Sequence, residues 1–76
     1  MVKGNSKLRK ARKSRSWTMA EVSEKIGVDV RTYGRWELGT GKPRLTSLKQ
    51  LCEVFDLSAD ELGFVLDRYL SSSEYE

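Results

Sequence analysis

Residues 17–37 read WTMAEVSEKIGVDVRTYGRWE and contain two helix starts separated by one stop. In Trp17-Thr18-Met19-Ala20-Glu21-Val22 a hydroxyl stands at the N-cap and a carboxylate follows three residues later, with apolar side chains before the cap and at the fourth helical position. Thr18 and Glu21 can each accept a hydrogen bond from a backbone amide that the helix leaves orphaned, and Trp17 can pack on Val22, which makes a capping box with a hydrophobic staple. The helix so begun stops at Gly27, directly after Ile26, where a residue without a Cβ can enter the left-handed region. Asp29 then caps a second helix, with Val28 stapled to Tyr33 and Thr32 in place of the box acid. Each cap contributes on the order of 1 kcal/mol, enough to fix a helix start in so small a chain.

Two short helices joined by a turn of three or four residues that contains glycine form a helix-turn-helix. Downstream, Leu38-Gly39-Thr40-Gly41-Lys42-Pro43 holds two glycines and the only proline, which makes it a loop. The helix after it lines one face with Leu45, Leu48, Leu51, Cys52 and Phe55. Leu57-Ser58-Ala59-Asp60-Glu61-Leu62 repeats the capping box and staple, and Leu62, Val65, Leu66, Tyr69 and Leu70 follow at helical spacing, so a fifth helix is predicted. Upstream, a first helix is predicted over residues 6–14, touching the core through Leu8, Ala11 and the stem of Arg12. Residues 1–5 read as a flexible basic arm and residues 71–76 as a frayed polar end. No stretch alternates with the period of a strand, so the expected fold is all-α, five helices in one domain over residues 6–70.

A chain this short has room for one modest core and none for a layered catalytic cleft. Its net charge of +3 hides a sorting along the sequence: residues 1–45 carry 12 Lys/Arg against 4 Asp/Glu, for +8, and residues 46–76 carry 2 against 7, for −5. One half attracts a polyanion and the other repels it, which favours an oriented approach to nucleic acid, although an acidic membrane or protein surface fits the same sorting. There is no histidine, one cysteine and no glycine-rich phosphate cradle, so nothing pairs a nucleophile with a base or offers metal-ligand spacing. The reading is therefore not an enzyme, with no metal, cofactor or small-molecule ligand. Cys52 cannot form an internal disulfide and no apolar run suits a signal peptide or a membrane span, so a cytoplasmic setting is expected.

From residue 8 to residue 62 the chain resembles the lambda-repressor-like helix-turn-helix family, of the Cro/CI or Xre type. The likeness is carried by Trp17-Thr18, Ala20-Glu21-Val22, Lys25-Ile26-Gly27-Val28, Arg35-Trp36-Glu37, Gly39, Lys42-Pro43, Leu48, Leu51, Phe55, Leu57-Ser58 and Asp60-Glu61-Leu62, and covers about three quarters of the chain. Proteins of this kind lay the third helix in the major groove and grip phosphates with the start of the second helix and the loop after the third. The resemblance implies that Val30, Arg31 and Arg35 read bases, with Thr32 and Gly34 at neighbouring groove-facing positions. It implies that Thr18 and Met19, and Gly41, Lys42 and Arg44 in the loop, bind phosphates. Arg12 and Glu37 match a partly buried ion pair that ties the first helix to the end of the third. The implied function is a double-stranded DNA-binding transcriptional regulator, a repressor of bacterial, plasmid or phage type acting by operator occupancy.

Four positions depart from the family pattern. Met19 stands where a phosphate-binding glutamine is usual, and Val30 replaces a polar reader, so its expected base contact is apolar, as with a thymine methyl group. Arg44 takes the place of a Ser or Thr cap, which frees a guanidinium to reach DNA. Gly34 within a helix costs about 1 kcal/mol relative to alanine, a conflict that close approach to DNA would explain.

The residues themselves support part of this. Arg31 and Arg35 are four apart and project from one helix face, and arginine is the commonest bidentate reader of guanine O6 and N7; the bland alternative is two solvated side chains. Tyr33 and Trp36 fall on the opposite stripe and read as core rather than as base-stacking platforms. Cys52 reads as a buried, inert thiol rather than a redox sensor. Lys7, Arg9 and Lys10 add phosphate attraction or form a solvated face. Leu66, Tyr69 and Leu70 either complete the core or pair two copies into a homodimer on half-sites about 34 Å apart. The competing function is a protein-binding module, an antitoxin or anti-repressor using the acidic half or the fifth helix.

Overall fold

The computed structural model describes residues 4–65. It contains α1 (Ser6–Ser14), α2 (Met19–Ile26), α3 (Val30–Leu38) and α4 (Leu45–Phe55), and no strand among the described residues. The caps form as local chemistry dictates. The Glu21 amide donates to Thr18 Oγ1 at 3.0 Å and the Thr18 amide to a Glu21 carboxylate oxygen at 2.7 Å, closing the capping box of α2. Gly27 ends α2 in the left-handed region at φ 73°, and Asp29 opens α3 by accepting from the Arg31 amide at 2.9 Å. Arg44 opens α4 without a side-chain cap, and Asp56 ends it with φ 56°. No helix among the described residues is long and apolar enough to cross a membrane.

The core takes Leu8 and Ala11 from α1, Val22 and Ile26 from α2, Tyr33 and Trp36 from α3, and Leu48, Leu51 and Phe55 from α4; Ala59, Leu62 and Phe64 close it from below. Trp17, Met19, Val28, Leu45, Cys52, Val54 and Leu57 pack against its margin. Trp17 meets Phe55 with ring centroids 5.4 Å apart. Cys52 is half-buried rather than fully buried, and that burial still pushes its thiol pKa up.

The described residues differ from the sequence reading at three points. The described residues form four helices: the Ser58–Glu61 box is present, with the Glu61 amide 3.1 Å from Ser58 Oγ, and within the described residues it opens a single turn. Gly63 adopts φ 86° and the Phe64 amide bonds back to the Ala59 carbonyl at 2.9 Å, which ends that turn. The redirected chain buries Phe64 and leaves Val65, placed from sequence on the apolar stripe of a fifth helix, 52 % exposed. The remainder of the predicted stripe, Leu66, Tyr69 and Leu70, and the end at residues 71–76 lie outside the described residues. Finally, Asn5, assigned to the arm, is fastened: its amide donates to the Glu37 carbonyl at 2.8 Å, its side-chain amide to the Leu62 carbonyl at 2.9 Å, and its Oδ1 accepts from the Leu8 amide at 3.1 Å.

Candidate nucleic-acid interface

With nine residues, α3 separates into two faces. Tyr33, Trp36 and Glu37 point inward and are buried, the two rings meeting edge to face at 5.8 Å, so neither is open to a base. Arg31, Thr32 and Arg35 are exposed, Val30 is 41 % exposed and Gly34 is half-buried. The 3.6-residue period alone makes this division, because positions 30, 31, 34 and 35 share one side of the cylinder and 33, 36 and 37 the other.

The inward face is held by a polar network. The Glu37 carboxylate accepts from Arg12 Nε at 2.6 Å, from Arg12 Nη2 at 3.1 Å and from the Tyr33 hydroxyl at 2.5 Å. Arg12 Nη1 donates to the Trp17 carbonyl at 2.9 Å, so one guanidinium joins α1, the entry to α2 and the end of α3. The hydrogen bond to Glu37 raises the Arg12 pKa above its ordinary value, against the opposing effect of burial. Burial first, and the Glu37 carboxylate second, push the Tyr33 phenol well above its usual range. Among the described residues no buried side-chain nitrogen or oxygen lacks a partner.

Around the outward face, Thr18 is exposed at the start of α2, and because its oxygen only accepts within the capping box, the hydroxyl proton is left to donate. Met19 is half-buried, its sulfur 3.8 Å from where a Cβ on Gly34 would lie. Gly41 lies against Arg35: a Cβ there would be 3.5 Å from Arg35 Cβ, so the loop after α3 packs along the stem of that arginine. Lys42 and Arg44 are exposed on this loop. Lys7 and Lys42 line one open groove of about 500 Å³ together with Asn5, Trp36, Gly41 and Phe64. Arg9 and Lys10 are exposed on α1.

Sequence reasoning missed Arg15, which belongs to the basic run yet turns inward. Its guanidinium donates to the Phe55 carbonyl at the end of α4 and lies 5.3 Å from the Phe55 ring and 5.9 Å from that of Trp17. No spacing signal announces such a contact, because it joins residues 40 apart. Among the described residues no group of three or more His, Cys, Asp or Glu is placed to hold a metal ion.

The match to known proteins runs over the same elements: a helix-turn-helix family description fits residues 8–62, from the first buried residue of α1 to the last turn. The chain belongs to the Xre/Cro-CI-type helix-turn-helix family. Within this helix-turn-helix family it is 39 % identical over 54 residues to the uncharacterized HTH-type transcriptional regulator YobD of Bacillus subtilis, covering 71 % of this chain and 48 % of that one. The HTH-type transcriptional regulator AnsR of the same organism is 32 % identical over 56 residues, 74 % of this chain and 48 % of its own. The cryptic phage CTXphi transcriptional repressor RstR of Vibrio cholerae is 30 % identical over 61 residues, 80 % of this chain and 54 % of its own. The chain thus spans about half the length of the curated relatives it matches. No solved structure matches it.

Proposed function

We propose that this chain is a cytoplasmic, sequence-specific, double-stranded DNA-binding transcription regulator, a repressor that works by occupying an operator and not by catalysis. One observation carries the reading: α3 exposes Arg31 and Arg35 on one face while Tyr33, Trp36 and Glu37 anchor the other. A helix so mounted can enter the major groove, where each guanidinium has the fork geometry to donate to guanine O6 and N7. Thr18, Lys42 and Arg44 would hold phosphates on either side, with Lys7, Arg9 and Lys10 adding longer-range attraction. The Met19 thioether has no donor to offer a phosphate, so the contribution of that residue is its backbone amide at the start of α2. Gly41 would offer a phosphate its backbone amide, at the point where the loop lies against the stem of Arg35.

One such domain covers a small stretch of DNA, and two copies paired through the segment of Leu66, Tyr69 and Leu70 would read half-sites about 34 Å apart. The repressor sense is supported by the name of the Vibrio cholerae relative.

The test is selection of bound duplexes from a randomised pool, followed by anisotropy titration of the selected and random duplexes. A consensus is expected, and Arg35→Ala should relax preference at one base position by about 1–3 kcal/mol. No binding even at low salt would replace this reading with a protein-binding role.

A further inference from the structure

Gly34 is hard to account for from within the protein. It lies mid-helix, where glycine is unfavourable, yet its conformation is helical, with no positive φ to require it. Nor does packing exclude a side chain: a Cβ at this position would meet only Met19 Sδ, at 3.8 Å, which is ordinary van der Waals contact. Beyond that sulfur, no side chain other than those of its two chain neighbours lies within 4 Å of the added carbon, so the space beside it is open. The apolar groups nearest this position are the Met19 thioether and, one turn earlier on the same face of α3, the Val30 side chain, 41 % exposed. Arg31 and Arg35 run beside it on the exposed face.

We propose that Met19, Val30 and Gly34 form a recess that receives the 5-methyl group of a thymine, making Gly34 and Met19 determinants of base specificity alongside the arginines. The proposal rests on the DNA-binding reading above. The thymine methyl is the one apolar group that the base edges present in the major groove, so it is the occupant that an apolar notch between cationic side chains selects. A Cβ on residue 34 would take up the space the methyl needs. The methionine side chain, unbranched and polarizable, adapts its contact to a group of that size.

The test removes only the methyl. In a duplex obtained by selection, each thymine is replaced in turn by deoxyuridine and affinity is measured by anisotropy for the chain, Gly34→Ala and Val30→Ala, with thermal unfolding run on each variant. For the unaltered chain one thymine is expected to weaken binding about fourfold on replacement, the effect of burying one methyl-sized group. Gly34→Ala should unfold at the same or a higher temperature, bind the thymine duplex about tenfold more weakly through overpacking, and lose the deoxyuridine penalty. Val30→Ala should reduce that penalty. If selected duplexes bind and no deoxyuridine substitution matters, or if the penalty persists in both variants, the recess is overturned while the DNA-binding reading stands. If no duplex is selected at all, both fall.

Discussion

The Asn5 side chain, near one end of the described chain, fills the space that a Cβ on Gly63, near the other end, would need, and the glycine sits at φ 86°. Asn5 in turn caps α1, holds the Leu62 carbonyl and donates its amide to the carbonyl of Glu37 near the end of α3. The far end of α3 is thereby tied to both ends of the described chain. Gly63→Ala should cost about 1–2 kcal/mol for the left-handed backbone alone, and more through displacement of Asn5. Asn5→Ala should cost about 1–2 kcal/mol as a lost cap and a lost hydrogen bond. Because the two changes damage one contact, urea unfolding of the double variant should show less than the sum; strict additivity would mean the contact carries nothing.

The Arg12–Glu37 pair supports a second expectation. Glu37 is buried with three donors aimed at its carboxylate, so removing the carboxylate strands both the guanidinium and the Tyr33 hydroxyl. Arg12→Ala and Glu37→Ala should each destabilise by about 3 kcal/mol or more, and the double variant by clearly less than their sum. A coupling near zero in the double-mutant cycle would remove the pair from the account of how α3 is held.

Tyr33 gives a pH dependence with a fixed sign. Its phenol pKa is raised by burial and by Glu37, whereas in the unfolded chain it titrates near its ordinary value of about 10. Below that value both states hold the proton and the contribution is intact. Above it the unfolded state loses the proton while the folded state keeps it, so stability falls by about 1.4 kcal/mol per pH unit from this group. Unfolding free energies of Tyr33→Phe should show a shallower decline above about pH 10 than those of the unaltered chain. Parallel alkaline declines would show that Tyr33 ionises as readily folded as unfolded.

Much of this architecture is legible in the sequence because it is local. The capping box at Thr18 and Glu21, the Gly27 stop and the Asp29 cap involve residues within a few positions of one another, and periodicity then separates Arg31 and Arg35 from Tyr33 and Trp36. What escaped was non-local, as in Arg15 reaching Phe55 and Asn5 reaching Leu62. Gly63 was hidden for another reason: it sits inside an apolar pattern of helical spacing, and the pattern outweighed the stop signal. The end of α4 at Asp56 is similarly quiet, since the residue in the left-handed region there is not glycine.

Salt dependence tests the division proposed above between residues that hold phosphates and residues that read bases. Each phosphate contact made by a lysine or arginine releases condensed counterions, so its removal weakens binding to every duplex alike and lowers the slope of log affinity against log salt by about one. Lys42→Ala and Arg44→Ala should behave in this way, because both are exposed on the loop beside α3. Arg31→Ala should instead change which base is preferred at one position. Arg15→Ala is the informative contrast: its guanidinium is turned onto the Phe55 carbonyl, so the variant should lose stability while the salt slope stays unchanged. Anisotropy titrations between about 50 and 200 mM salt resolve slopes of this size. A slope that drops for Arg15→Ala as much as for Arg44→Ala would show that the interface follows the charge of the whole basic half rather than the loop beside α3.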